Sequence, residues 1–251
     1  MSAVPEPKHS PVSVPRTAPV RPAAAMPMRR LLPFAGALAA VLAIASAPWA
    51  LDQPWLNFAF KPLATLCVIA WCVLGATDDL RLKRWLVAGL VFSLAGDVAL
   101  LWPVAGFLVG LVSFLLGHLS YLVALTSRVR FAARPWAFVA WAGVAAGVLS
   151  GLWAGVPAEL RVPVIVYVCA LAAMAAQATT VWLANRRGAD EPRWRLVALG
   201  GALFVLSDAI LATDKFVGGV PMPTLWNLSI YWLAQWLIAS GAARWSHAQR
   251  H

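Results

Sequence analysis

Apolar residues run through this chain in long stretches, broken by short clusters rich in Arg, Lys, Pro and Gly. The stretches fall near 31–49, 56–76, 85–102, 104–126, 135–153, 160–184, 195–212 and 223–243. Each approaches the roughly 20 residues that a helix needs to cross hydrocarbon. None alternates strictly in twos, and an unbroken span in lipid must satisfy its own backbone, so the stretches are read as helices. The pattern predicts an all-α polytopic membrane protein, a bundle of eight transmembrane helices. The longest connections are about ten residues, too short for a separate soluble domain.

Ahead of the first stretch, residues 1–30 hold seven prolines and almost no large apolar side chains. This predicts a disordered, basic, Pro-rich cytoplasmic tail before a transmembrane domain spanning 31–245. Arg29-Arg30, the apolar run after them and Ala45-Ser46-Ala47 also fit a cleavable signal peptide. Cleavage would leave seven spans and an outside N-terminus without altering the later loops; the retained span is the preferred reading.

Composition agrees with the pattern. Hydrophobic residues make up 61% of the 251 and charged residues only 12%, against about 25% in soluble domains. The net charge of +10 would suit a nucleic-acid partner, but its placement does not. Five cations (Lys8, Arg16, Arg21, Arg29, Arg30) precede the first stretch, and Arg81, Lys83 and Arg84 separate the second from the third. Arg128, Arg130 and Arg134 follow the fourth, Arg186, Arg187, Arg193 and Arg195 follow the sixth, and Arg244 and Arg250 close the chain. Only Arg161 and Lys215 fall on the other side, and Lys61 lies inside a stretch. By the positive-inside rule both termini are cytoplasmic, in a plasma membrane such as the bacterial inner membrane. Basicity is then a topology signal, and no nucleic acid is expected. Ten of the 14 tryptophans (Trp49, Trp55, Trp85, Trp102, Trp136, Trp153, Trp182, Trp194, Trp226, Trp245) stand at span ends, as an interfacial belt requires. Cys67, Cys72 and Cys169 are odd in number and read as unpaired small core residues.

Polar side chains inside the spans carry the functional signal. An ionised carboxylate at bilayer depth costs roughly 3 kcal/mol on insertion scales, yet Asp97 and Asp208 both sit in apolar runs. Helical spacing stacks Ser93 on Asp97 above Gly89, His118 with Tyr121, Lys61 with Thr65, and Asn227, Tyr231 and Gln235 in one stripe. Lipid satisfies none of these, so the faces turn inward. With a rise of ~1.5 Å per residue, Asp97 lies roughly 8 Å and Asp208 roughly 6 Å from the outer ends of their spans. Lys61 and Asn227 reach similar depth, while His118 and Gln235 fall near the midplane as a floor. Ser93 and Thr65 also suit ordinary helix packing, Lys61 could snorkel, and Asp214-Lys215 is expected in an outer loop. One lysine and two carboxylates sum to −1, and a single bound proton makes the set neutral. One protonated and one ionised aspartate is the division that acid–base catalysis uses.

Five fragments in register resemble the YhhN family, the lysoplasmalogenase-type integral membrane proteins. They are FKPLAT (Phe60 to Thr65), GLVFSLAGDVALL (Gly89 to Leu101), FLVGLVSFLLGHLSYLVAL (Phe107 to Leu125), FVLSDAILATDKF (Phe204 to Phe216) and YWLAQ (Tyr231 to Gln235). The likeness covers about 56–243. It implies an eight-helix fold and hydrolysis of the vinyl ether of single-chain lysoplasmalogens, releasing a fatty aldehyde and glycerophosphoethanolamine or glycerophosphocholine. Such a bond opens when its β-carbon is protonated and water adds to the α-carbon. Two carboxylates can supply the acid, the base and the negative charge, much as in glycosidases. Asp97 and Asp208 are the catalytic candidates, in either order, with no metal and no cofactor required. Lys61 would set their charge or meet the phosphate, while Ser93, His118, Tyr121, Asn227, Tyr231 and Gln235 would bind and orient substrate and water.

The same acids would also serve a proton-coupled transporter of lipids or small molecules, and spans three and seven carry similar Ser/Gly-Asp motifs that resemble a parallel repeat. A metal-dependent hydrolase using Asp97, His118 and Asp208 is a third reading, weakened by the lack of a second histidine and by the depth of His118.

Overall fold

The computed structural model describes residues 25–75, 79–102 and 104–242. Eight α-helices and two 3-10 turns account for every element among them: α1 (Ala25–Ala45), α2 (Pro54–Leu74), α3 (Leu80–Ala99), α4 (Phe107–Thr126), α5 (Pro135–Leu152), α6 (Arg161–Ala184), α7 (Glu191–Phe216) and α8 (Pro223–Ala242). Six of them (α1, α2, α4, α5, α6 and α7) are long and apolar enough to cross a membrane. α3 and α8 are each 20 residues long but more polar. α3 carries Arg81, Lys83, Arg84 and Asp97, and α8 carries Asn227, Tyr231, Gln235 and three tryptophans.

Helix starts follow local chemistry. Proline opens α2, α5 and α8 at Pro54, Pro135 and Pro223, where its missing N–H is no loss. Asp79 caps α3, its Oδ1 accepting from the Leu82 N–H at 2.9 Å, and its Oδ2 accepts from Arg128 beyond α4 at 2.8 Å.

Several boundaries differ from the sequence pattern; α3, for one, starts at Leu80, five residues before the expected start at 85. α1 starts at Ala25, inside the segment read as tail, because its Ala, Met and Arg residues are good helix formers; residues 1–24 lie outside the described residues. α4 starts at Phe107, after a turn at 104–106. α7 continues to Phe216, so Asp214 and Lys215 belong to its last turn and not to a loop. A lysine there suits the helix dipole, and Gly218 and Gly219, at φ +79° and +78°, end the run.

Helices pack in sequential pairs, α1 with α2, α3 with α4 and α7 with α8; α6 joins α4 to α7. Close approach depends on glycine. The rings of Tyr121 and Phe114 occupy the space that a Cβ at Gly89 or Gly96 would need, which lets α4 lie against α3. α6 is the most enclosed helix and α5 the least. α5 packs on α6 and lightly on α7, with no extended contact to α4. Fully buried Gln177 of α6 ties down the 4–5 connection, donating to the carbonyls of Val129 (2.7 Å) and Arg130 (3.4 Å) and accepting from the Ala132 N–H (3.3 Å).

Two side-chain expectations are corrected. Trp194 is buried, not an interfacial anchor, because it packs under the guanidinium groups of Arg128 and Arg193. Cys169 faces outward and is exposed, since its face of α6 meets no other helix, while Cys67 and Cys72 are buried; all three are free thiols. Trp245 and the C-terminal cations Arg244 and Arg250 lie outside the described residues.

Candidate active site

Asp97 sits on the inner face of α3 at 1% exposure, one helical turn beyond Ser93. Its Oδ2 accepts hydrogen bonds from Thr65 of α2 (2.6 Å) and Tyr231 of α8 (2.8 Å), and its Oδ1 stands 3.8 Å from Lys61 Nζ. Lys61 is itself buried, so its ammonium does not snorkel but pairs with this carboxylate. Thr65 is more than a packing residue: its hydroxyl accepts from the Trp232 indole at 3.1 Å while donating to Asp97. Four donors from two neighbouring helices thus converge directly or in relay on one carboxylate, the arrangement a buried anion needs.

Asp208 has separate partners. The Tyr167 hydroxyl of α6 donates to Asp208 Oδ2 at 2.5 Å, and His118 Nε2 of α4 lies 3.0 Å from the Tyr167 oxygen and 3.5 Å from Asp208 Oδ2. With Tyr167 donating to the carboxylate, its remaining lone pair accepts from His118 Nε2–H. The expected depth offset between His118 and Asp208 is absent. Because α7 runs on to Phe216 and α4 starts late, Asp208 lies about 12 Å from the end of its helix, close to the level of His118.

The two clusters are joined through an aromatic wedge. Phe204 stands edge-to-face with both His118 (centroids 4.9 Å apart) and Tyr231 (5.5 Å), and Phe114 meets Tyr231 at 5.9 Å. Both aspartates line one cavity of about 240 Å³, together with Lys61, Asn227, Tyr231, Asn57, Asp214 and Lys215. Polar groups line part of it, and Asp208, one of its lining residues, retains 14% side-chain exposure.

The remaining candidates divide. Asn227 lines the cavity but is engaged in a reciprocal clamp: its Nδ2 donates to the Ser207 carbonyl (3.3 Å), and Ser207 Oγ donates to the Asn227 carbonyl (3.2 Å). Ser93, His118, Tyr121 and Gln235 do not line the cavity; they lie behind its wall because aromatic rings and Asp97 itself fill the space in front. The Tyr121 hydroxyl faces Ser93 without closing a well-formed hydrogen bond, and neither amide atom of Gln235 has a partner. His118 alone of these four reaches a carboxylate. Among the described residues, no three His, Cys, Asp or Glu side chains gather as a metal site would require.

Tyr167 is one of the site residues that sequence reasoning missed, with Asn57 and Trp232. Grouping by shared helix faces finds Tyr121 and Tyr231 through their polar neighbours. Tyr167 lies in the apolar run RVPVIVYVCAL, with no polar side chain three or four positions away. The available signal was scarcity, since the chain has only three tyrosines and all three fall within spans.

Sequence comparison adds independent information. The chain is 32% identical over 201 residues to a protein of Mycobacterium tuberculosis named lysoplasmalogenase, covering 74% of this chain and 70% of that one. It is 30% identical over 197 residues to lysoplasmalogenase TMEM86B of Mus musculus (77% and 78% covered). Against lysoplasmalogenase TMEM86A of Homo sapiens it is 35% identical over 164 residues (61% and 63% covered). No solved structure matches. The YhhN family matches residues 56–242, which runs from the first turn of α2 to the last residue of α8 and takes in both aspartate clusters. By that match, this integral membrane chain belongs to the YhhN family.

Proposed function

We propose that the protein hydrolyses the vinyl ether bond of lysoplasmalogens, releasing a fatty aldehyde and a glycerophospho-alcohol. The reading includes eight spans, a cytoplasmic basic end, and a plasma-membrane cavity facing the outer leaflet. The observation that carries it is the pair of carboxylates on one cavity, each supported by a tyrosine hydroxyl, with Asp97 beside Lys61 and Asp208 beside His118. The names of the relatives supply the substrate class.

The division of roles follows from the partners. Asp97, beside Lys61 and accepting two hydroxyl hydrogens, is the anion. It takes a proton from the attacking water and balances the oxocarbenium charge. Asp208, more open and backed by Tyr167 and His118, is the proton donor to the β-carbon, and the relay behind it can return the proton. Protonation moves the alkene electron pair into the new C–H bond and leaves the cation shared by the α-carbon and oxygen. Water adds at that carbon, and the hemiacetal collapses with transfer of a proton to the departing glycerol oxygen. Lys61 with ionised Asp97 and protonated Asp208 gives a neutral set, which lowers the cost of burying three ionisable groups.

The test is aldehyde release by purified protein from a panel of lysoplasmalogens in EDTA. Activity is expected to persist in the chelator and to fall about 10²–10⁴-fold in Asp97→Asn and Asp208→Asn, the worth of one general acid or base. The amide is nearly isosteric, so both variants should fold. Near-normal turnover in both would contradict the two-carboxylate mechanism. No aldehyde from any lipid would favour transport, and loss in EDTA a metal-dependent hydrolase.

A further inference from the structure

A second, apolar cavity opens beside the first. It is a groove of about 90 Å³ between α4, α5, α6 and α7, and it shares Phe107, Phe114, Leu100, Leu211 and Asp208 with the polar cavity. Its polar groups, Asp208 and Tyr167, stand at the junction. The groove separates two packed clusters, the main core and a small one centred on Leu152, Val156 and Val164. It exists because α5 leans on α6 and leaves α4 alone, so the slot between α4 and α5 has no helix to fill it.

We propose that this groove holds the hydrocarbon chain of a single-chain ether lipid, admitted sideways between α4 and α5, and that Trp141 fixes the chain length accepted. The proposal rests on the hydrolase reading above. Continuity with the polar cavity identifies the occupant. A molecule whose reactive carbon lies between Asp97 and Asp208 has a polar head among Lys61, Asn57 and Asn227, and its chain has one apolar exit, past Asp208. That order, polar head, reactive carbon, single chain, is that of an alkenyl lysolipid with its β-carbon next to the proton donor. One groove also fits one chain, which disfavours two-chain lipids.

Trp141 is the lining residue nearest the start of α5, about 16 Å along the helix from Leu152, the lining residue nearest its end. Its indole is pinned: Nε1 donates to Thr179 Oγ1 at 3.1 Å, and that hydroxyl donates to the Ala175 carbonyl at 2.9 Å. A fixed ring at the end of a groove acts as a stop. Because a chain moving from bilayer to groove gains little hydrophobic free energy, length selection has to come from steric fit against such a stop. One methylene more or less against an apolar wall is worth roughly 10-fold or more in kcat/KM.

The experiment measures kcat/KM for a graded series of alkenyl lysophosphoethanolamines. Trp141→Ala should move the optimum to longer chains, with about tenfold relative gain. Ala145→Phe and Ala212→Phe, which narrow the groove, should move it to shorter ones. An unchanged length profile in all three active variants would overturn the proposal while leaving the hydrolase reading intact. A readout without turnover separates the two. A saturated lysophosphatidylcholine brominated near its chain end should quench tryptophan emission more in the wild type than in Trp141→Phe, in nanodiscs, and the difference should vanish in Ala212→Phe. Quenching that does not depend on Trp141 would equally overturn it. If no lipid yields aldehyde, the hydrolase reading fails, and Trp141-dependent quenching still tests the groove.

Discussion

Tyr167 carries the sharpest prediction at the scale of single residues. Its hydroxyl is the link between His118 and Asp208, whereas its ring packs against His118 at a centroid distance of 5.3 Å. Tyr167→Phe keeps that packing and removes the hydrogen bond to Asp208, the proposed acid, so kcat should fall about 10- to 100-fold with little change in KM. A KM effect alone would make Tyr167 a substrate contact and break the relay. Asp97, Asp208, Lys61 and Tyr231, which line the cavity, stand out in the sequence because each violates the apolar pattern, and all but Asp208 share a face with other polar residues. Tyr167 and Trp232 do not, since one aromatic among apolar neighbours gives no periodic signal; their roles depend on which helix lies opposite. Gln235 and Ser93 mark the converse case, polar residues on the right face that stop one turn short of the cavity.

Elements differ in how they are held. α3 is anchored at its basic end by one carboxylate, Asp79, which meets the Leu82 N–H and Arg128 together. The Leu82 N–H, and then Arg128, hold this carboxyl below its usual range. Such a group stabilises the fold fully above the ordinary carboxylate value of about 3.9, and the contribution is lost as pH falls through the depressed value. Asp79→Ala should therefore cost about 1 kcal/mol at neutral pH, the usual worth of an N-cap, with a lowered Tm in detergent. The deficit should shrink below about pH 3.9. An unchanged Tm at neutral pH would mean that α3 is held by packing alone. Most helix ends were readable to within a few residues, the starts of α1 and α3 excepted, because runs of apolar letters and initial prolines are local signals. The late end of α7 was not, and that shift brings Asp208 level with His118. Asp214 and Lys215 look like loop residues until the following glycines are seen to provide the stop.

For the whole molecule, the helix count followed from the sequence, while the pairing of helices that builds two adjoining cavities did not. Lateral neighbours are set by glycine contacts such as Gly89 with Tyr121, which no single sequence marks as such. Orientation is a molecule-scale property too. The basic connections after α2, α4 and α6 predict that a phosphatase fused to the C-terminus stays in the cytoplasm and inactive; a fusion active in the periplasm would invert the topology and turn the cavity toward the cytoplasm. The central claim is that the chain opens a vinyl ether by placing a proton on carbon. Its most direct test is hydrolysis of a lysoplasmalogen by the purified protein in heavy water, with the aldehyde trapped as it forms and weighed by mass spectrometry. The account predicts one deuterium at the carbon next to the carbonyl, in the wild type and in the residual product of Asp97→Asn. Aldehyde released without that deuterium, or no aldehyde at all, would contradict it.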